Sequence, residues 1–270
     1  MDWIGLMEFK DAPRGLDPKH GFYANWNNKP ARAWEPSGFG KVFWGKKIID
    51  VLEEREKIGF ERLLEIARLT AYHSFLADYF VPHILRAAKD AEDPDVKRAA
   101  EILAAWDRQE VEGSPAPVIL ERWLKGALAR VFGEYVDPLL LSSKEIQRYL
   151  VDPLLYAFEG RPQRGAFARE KDLAKITRDA LKDAMKGGEA SLAWKEPTVD
   201  FKGEIGKVKS KAGRGTYQMA VKMTPDGPRA LTLCAPGQSE DPASKHYRDQ
   251  LELFTAWRYK PFIWKREDLK

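Results

Sequence analysis

The sequence predicts an α+β protein, and three observations carry that expectation. An opening rich in Gly, Pro, Trp and Asn gives way at Gly45 to long runs with apolar residues three and four apart, the spacing of helices that bury one face. Beyond residue 188 the pattern shortens. Stretches at 213–221 and 229–235 flank Met223-Thr224-Pro225-Asp226-Gly227-Pro228 and read as two strands about a turn. A further run at 247–257 reads as a closing helix. The expected organisation is 1–44 as loops and short extended pieces, 45–188 as a helical segment, and 189–270 as strands with that closing helix.

Each element has a local reason. Ile48, Ile49, Val51 and Leu52 begin the helical pattern, and Phe60, Leu63, Leu64, Ile66 and Ala67 resume it. Leu69, Tyr72, Phe75, Leu76 and Tyr79 continue that face until Pro82, which lacks an N–H and is expected to bend or restart the helix. Asp93-Pro94-Asp95 places a capping carboxylate before a proline at the first helical position, ahead of Ala99, Ile102, Leu103 and Trp106. Gly113-Ser114-Pro115-Ala116-Pro117 is a loop, and Ile119, Leu120, Trp123, Leu124 and Leu128 form the next apolar stripe. Ser142-Ser143-Lys144-Glu145 has the pattern of a capping box. A polar, Lys- and Asp-rich helix around 170–186 ends at Gly187-Gly188, and Pro236-Gly237-Gln238-Ser239 is a second turn.

Composition narrows the function classes. Hydrophobic residues make up 44% of the 270 and charged residues 32%, ordinary for a soluble globular chain. A net charge of +4 gives no electrostatic case for nucleic acid. No apolar stretch reaches the roughly 18 residues needed to span a bilayer. The start Met1-Asp2-Trp3-Ile4-Gly5-Leu6 lacks the basic beginning and long apolar core of a signal peptide. The single cysteine, Cys234, excludes an internal disulfide and a cysteine-based metal cluster. His20, His73, His83 and His246 have no metal-ligand spacing.

One run carries a chemical suggestion. In Gly21-Phe22-Tyr23-Ala24-Asn25-Trp26-Asn27-Asn28-Lys29-Pro30, three asparagines surround one tryptophan. Asn and Pro are common turn formers, so a surface turn is one reading. The other is an oxyanion-binding loop, because an Asn amide donates hydrogen bonds without titrating.

The run resembles the loop motif in the β subunit of the penicillin acylase (penicillin amidase) family of N-terminal nucleophile hydrolases. Trp3-Ile4-Gly5 and Asp17-Pro18-Lys19-His20-Gly21 resemble its approach. At the far end, Pro236, Gly237, Gln238, Ser239, His246, Tyr247, Asp249 and Gln250 are similar to the family's C-terminal signature. Trp106-Asp107, Trp123-Leu124 and Trp194-Lys195-Glu196-Pro197 are weaker matches between these anchors. The two strong motifs keep the family's order along nearly the whole chain.

The resemblance implies a part of a four-layer αββα sandwich with a large helical segment, the C-terminal strands returning to the core segment that holds the Asn loop. It implies amide hydrolysis of N-acylated compounds, such as β-lactam side-chain amides, N-acyl amino acids or acyl-homoserine lactones. Asn27 matches the oxyanion-hole donor. Lys47 matches a position that often carries Arg, where it keeps the charge as an electrostatic support but not the bidentate fork. Gly38 matches the Asp of a structural calcium site and has no side-chain oxygen, so no cofactor or metal is expected. The C-terminal cluster is expected to be structural, and Ser239 a turn residue.

In the family the nucleophile is the first residue of the β subunit, usually Ser, with its own α-amino group as base. Here Asp2 follows Met1, and 26 residues precede Asn27. The chain therefore resembles the C-terminal part of a β subunit without its nucleophile. A partner chain supplying the nucleophile half, or self-association, is expected, because the segment alone leaves a sheet edge and an apolar face unpaired. A small acylated amine is the expected substrate; family members are commonly periplasmic or extracellular. The alternative is a truncated, non-catalytic remnant acting as a folding or association module.

Overall fold

A helix ends at Tyr72 and another begins at Phe75, although the apolar stripe runs on through both. The interruption has a tertiary cause. The Ser74 N–H donates to the Arg108 carbonyl and the Glu110 N–H to the Tyr72 carbonyl, both at 2.8 Å. The His73 ring turns back, its Nε2 lying 2.7 Å from the Asp78 carboxylate. Pro82, expected to be the break, instead lies inside a continuous helix. It forfeits only its own bond to the preceding turn, and the helix is held by Phe80, Val81 and Ile84, which are fully buried around it.

The computed structural model describes residues 5, 8–29, 45–54, 57–161, 168, 170–210, 214–265 and 267. In chain order these hold α1 (Gly45–Glu53), α2 (Phe60–Tyr72), α3 (Phe75–Ala88), α4 (Pro94–Ala105), α5 (Ala116–Phe132), α6 (Pro138–Leu141), α7 (Lys144–Phe158) and α8 (Leu173–Ala184). Then come β1 (Thr198–Asp200), β2 (Lys207–Lys209), β3 (Tyr217–Thr224), β4 (Gly227–Cys234), α9 (Leu251–Thr255) and β5 (Lys260–Pro261). The α+β class holds. The contacts divide the chain into two units, Met1–Ile66 and Ala67–Lys270.

In the second unit the helical core gathers around Trp123 of α5. Its ring centroid lies 5.4 Å from that of Phe80 on α3 and 5.9 Å from that of Phe158 on α7. Gly126 allows α8 to come close, since a Cβ there would sit 3.3 Å from the Ala180 Cβ. An Arg130–Asp183 ion pair ties the same two helices. Arg122 donates to the Ala184 and Lys186 carbonyls, each at 3.1 Å, placing a cation where the end of α8 leaves acceptors without helical partners. Asp93 caps α4 as expected, accepting from the Asp95 and Val96 N–H groups.

Three local expectations are corrected. Ser142 and Glu145 form no capping box: α7 begins after Ser143, and the Ser142 hydroxyl donates to the Leu139 carbonyl at 2.6 Å, engaged by the short α6 that the sequence pattern did not reveal. The closing helix is only Leu251–Thr255, because residues before it are drawn into the turn around Pro236–Ser239. The first strand begins at Tyr217, inside the expected 213–221, and pairs from Tyr217↔Cys234 to Thr224↔Gly227 across Pro225-Asp226. Gly227, at φ 108°, closes that turn in a conformation few other residues adopt.

The sheet order is β3-β4-β5, so β3 is an edge among the described residues. On one face Leu233 packs against Phe254 of α9, with Val199, Phe201, Val208, Leu253 and Tyr259 around them. On the other, Tyr217, Met219, Val221 and Met223 point outward, 60%, 51%, 42% and 75% exposed.

Candidate active site

The first unit holds the Asn loop and α1. Trp26 lies against Gly45, the first residue of α1, so closely that a Cβ at Gly45 would overlap the indole. Gly45 is buried by this contact. The loop is thereby pinned to the amino end of a helix whose N–H groups carry partial positive charge.

Within the loop the three asparagines are not equivalent. The Asn25 Oδ1 accepts the Asn27 N–H at 2.6 Å, an Asx turn. The Asn28 Oδ1 accepts the Trp26 N–H at 3.3 Å, and its Nδ2 donates to the Lys29 carbonyl at 3.2 Å. Asn25 thus spends its side-chain carbonyl, and Asn28 both its carbonyl and an N–H donor, on the loop's own backbone. Asn27 sits at φ 61°, a left-handed conformation that Asn tolerates better than most residues. Its side chain is exposed and makes no hydrogen bond among the described residues. Of the three, Asn27 alone has its whole side chain uncommitted among the described residues, on a backbone held by its two neighbours.

Lys47 lies in the first turn of α1, half-buried. Its neighbour Lys46 is paired with Asp50 at 2.6 Å, and no acidic residue occupies that first turn. The Trp26–Gly45 contact thus brings the Asn27 loop to a helix end that carries Lys47, with Lys46 paired to Asp50. The Trp26 Nε1–H is buried and has no partner among the described residues. Gly38, the matched calcium position, and Asp2 lie outside the described residues.

The C-terminal signature residues occupy structural positions. Gln250 is 1% exposed; its Oε1 accepts the Cys234 N–H and its own N–H donates to the Pro236 carbonyl. The Gln238 and Ser239 N–H groups both donate to the His246 carbonyl, and the His246 ring lies 2.9 Å from the Asp249 carboxylate. These bonds fold a turn onto the sheet, and the Ser239 Oγ accepts the Asp241 N–H at 3.2 Å.

Sequence reasoning missed a polar knot in the second unit. Tyr72 donates to Glu196 at 2.5 Å and accepts from the Trp257 Nε1–H at 3.2 Å. Burial, then the bond to Glu196, raises the Tyr72 pKa. Arg214 is 4% exposed, its guanidinium 4.2 Å from the Trp257 ring centroid and 4.8 Å from that of Phe254. Desolvation lowers its pKa, with Tyr259 opposing. A lone arginine and scattered aromatics carry no periodic signal, so only the packed chain reveals them.

A helical block feeding a small antiparallel sheet, with the Asn loop on a separate unit, matches a known architecture. The thermostable penicillin G acylase from Alcaligenes faecalis superposes over 100% of this chain and 58% of its own, with a TM-score of 0.78 at 22% identity. The penicillin amidase family model matches residues 1–270. The chain belongs to the penicillin amidase family. It is 28% identical over 142 residues to the penicillin G acylase of Escherichia coli, covering 48% of this chain and 17% of that protein. It is 25% identical over 204 residues to the acyl-homoserine lactone acylase PvdQ of Pseudomonas fluorescens Pf0-1, covering 70% and 26%. The chain thus spans about a quarter or less of the length of these curated relatives.

Proposed function

We propose that this chain serves hydrolysis of the linear amide bond of N-acylated compounds, with Asn27 supplying a side-chain donor to the oxyanion. The observation that carries this reading is the division of labour among the asparagines: Asn25 and Asn28 bind the loop's backbone, and Asn27 is left presenting its amide. A tetrahedral intermediate puts negative charge on the former carbonyl oxygen. An uncharged donor, fixed before the reaction, stabilises that charge without being reorganised. Lys47 and the amino end of α1, on which Trp26 rests, add a positive field near the loop, strongest once substrate excludes water.

The nucleophile and its base belong, on this reading, to the part of the family's chain that these residues do not span. Names of the relatives point to two substrate classes, penicillins and acyl-homoserine lactones. The shared chemistry is an acyl group on an amine nitrogen.

The test is a chimera in which these 270 residues replace the matched part of the Alcaligenes faecalis chain, assayed with a chromogenic phenylacetyl amide and an acyl-homoserine lactone. Asn27→Ala should lower kcat by roughly 100- to 1,000-fold with KM little changed, the pattern of a contact made in the transition state. An active chimera in which Asn27→Ala is silent would remove Asn27 from the mechanism. Hydrolysis by the 270 residues alone would show that the nucleophile lies within them.

A further inference from the structure

We propose that the buried fork of Arg214 is a receptor for a small planar carboxylate, bound within the aromatic cluster of the second unit. Arg214 is 4% exposed, and its hydrogen bonds hold only one side of the guanidinium. The Nε donates to the Gln218 Oε1 at 3.2 Å, and the Gln218 Nε2 returns a bond of 2.7 Å to the Arg214 carbonyl. The Tyr259 hydroxyl donates to the same Oε1 at 3.0 Å. Gln218 thus sets the direction of the side chain. At its far end Nη1 and Nη2 are buried and make no hydrogen bond among the described residues.

A guanidinium does not shed its charge in a protein, and most of its N–H donors lie on those two nitrogens. Burying them without acceptors is costly. The rings of Trp257 and Phe254, 4.2 and 4.8 Å away, offset the charge but accept no bond in the plane of the fork. The groups that oppose the desolvation of Arg214 are two phenols, Tyr259 and Tyr72. No carboxylate among the described residues does so, and Lys211-Ala212-Gly213, just before it, carry none.

Two more buried polar atoms border the same small core without partners among the described residues, the Ser210 Oγ and the Gln250 Nε2. Gln250 lies one turn before Phe254, whose N–H it accepts at 2.9 Å, and Ser210 follows Val208, which packs on that core. The surroundings are therefore rich in donors. Trp257 is held at φ 54°, uncommon for a bulky residue, and strain of that kind gathers at ligand sites.

These features select the ligand. A carboxylate meets Nη1 and Nη2 with two parallel bonds. Rings this close to the guanidinium favour a flat anion lying in its plane over a tetrahedral one. Phe254 is fully buried, but Trp257 and Tyr259 are only half-buried, so the swing of one ring admits a small ligand.

The test is NMR of the arginine side chains of the 15N-labelled 270-residue chain, assigned through the backbone and titrated with sodium acetate at constant ionic strength. Acetate should shift the Arg214 Nε and Nη signals with half-saturation on the order of 1 mM. Chloride should not shift them, and sulfate should bind at least tenfold more weakly. By calorimetry, Arg214→Met should abolish acetate binding and Arg214→Lys should weaken it at least tenfold, since lysine lacks the fork. Arg98→Met, at an exposed arginine paired with Glu189, should leave it unchanged. The shift is read in the parent chain, so it decides even where a variant does not fold.

No saturation below about 100 mM would overturn the proposal. So would a response equal to that of chloride or sulfate, a saturable shift at other arginines with Arg214 unmoved, or binding undiminished in Arg214→Met. Acetate binding to the chain that disappears in the chimera described above would assign the fork to a carboxylate of the longer polypeptide, and would overturn it too. Hydrolysis is not read at any point, so the outcome is independent of the role proposed for Asn27.

Discussion

The indole of Trp26 rests directly on the Cα of Gly45, and this contact seats the Asn27 loop at the start of α1. No side chain larger than hydrogen fits at Gly45 without moving the ring. Gly45→Ala should therefore displace Trp26 and cost about 1–3 kcal/mol of first-unit stability, as overpacking of a tight contact does. Denaturant unfolding followed by tryptophan fluorescence checks this. An alanine variant at least as stable as the parent, with unchanged emission, would show that the contact does not hold the loop.

Replacing Asn27 by glycine separates loop geometry from chemistry. Glycine adopts the φ of 61° without strain, so the Asx turn from Asn25 should survive while the donor is lost. The expected outcome is unchanged unfolding behaviour together with a fall of roughly 100- to 1,000-fold in kcat of the active chimera. Asn25→Ala should behave oppositely, loosening the loop by about 1 kcal/mol and affecting rate only through the position of Asn27. Matching losses from both variants would indicate that the loop acts as a unit.

Arg214 tests whether the aromatic knot depends on a planar cation. Its Nε donates to the Gln218 Oε1 at 3.2 Å, and its guanidinium lies over Trp257 and Phe254. Lysine keeps the charge but neither the fork nor the flat stacking surface. Arg214→Lys should destabilise the second unit by about 1–3 kcal/mol in denaturant titration. Arg214→Met, which fills similar volume and removes the buried charge, should be milder. If lysine were tolerated better than methionine, charge alone would be what matters there.

His83 should give the second unit a shallow acid sensitivity. Burial, and then Arg86, hold its pKa below the ordinary value of 6.5. A base with a depressed folded pKa contributes fully above the unfolded value. Stability falls as pH drops below about 6.5, because the unfolded chain takes up the proton first, and levels off below the folded value. The side chain is half-exposed, so the loss should stay under about 1 kcal/mol. His83→Gln should flatten the stability profile between about pH 7 and 5. A parallel profile in the variant would assign the acid sensitivity elsewhere.

Much of the fold was legible because it is periodic or punctuated. The apolar stripe of α5, the Asp93-Pro94 cap and the Asp226-Gly227 turn each rest on local chemistry that a few adjacent residues specify. The break at His73-Ser74 was not legible, because its causes are Arg108 and Glu110, more than thirty positions away. The two-residue β5 and three-residue β1 and β2 were invisible for a different reason: so few residues carry no period, and only a neighbouring strand defines them.

The candidate site divides in the same way. That an uncharged donor sits in a turn beside tryptophan follows from residue identity, since the Asn amide donates and accepts without titrating and its neighbours favour a turn. Which of three asparagines is free to act was decided by the folded backbone. Hydrogen bonds of 2.6 and 3.3 Å engage the side-chain oxygens of Asn25 and Asn28 with the loop's backbone, and Asn27, at a left-handed φ, keeps its whole side chain exposed. Likewise, alternation in β3 set Tyr217, Met219, Val221 and Met223 on one face. Only the placement of α9 behind Leu233 determined that this face is the bare one, because a strand's pattern defines its two sides while packing chooses which is covered.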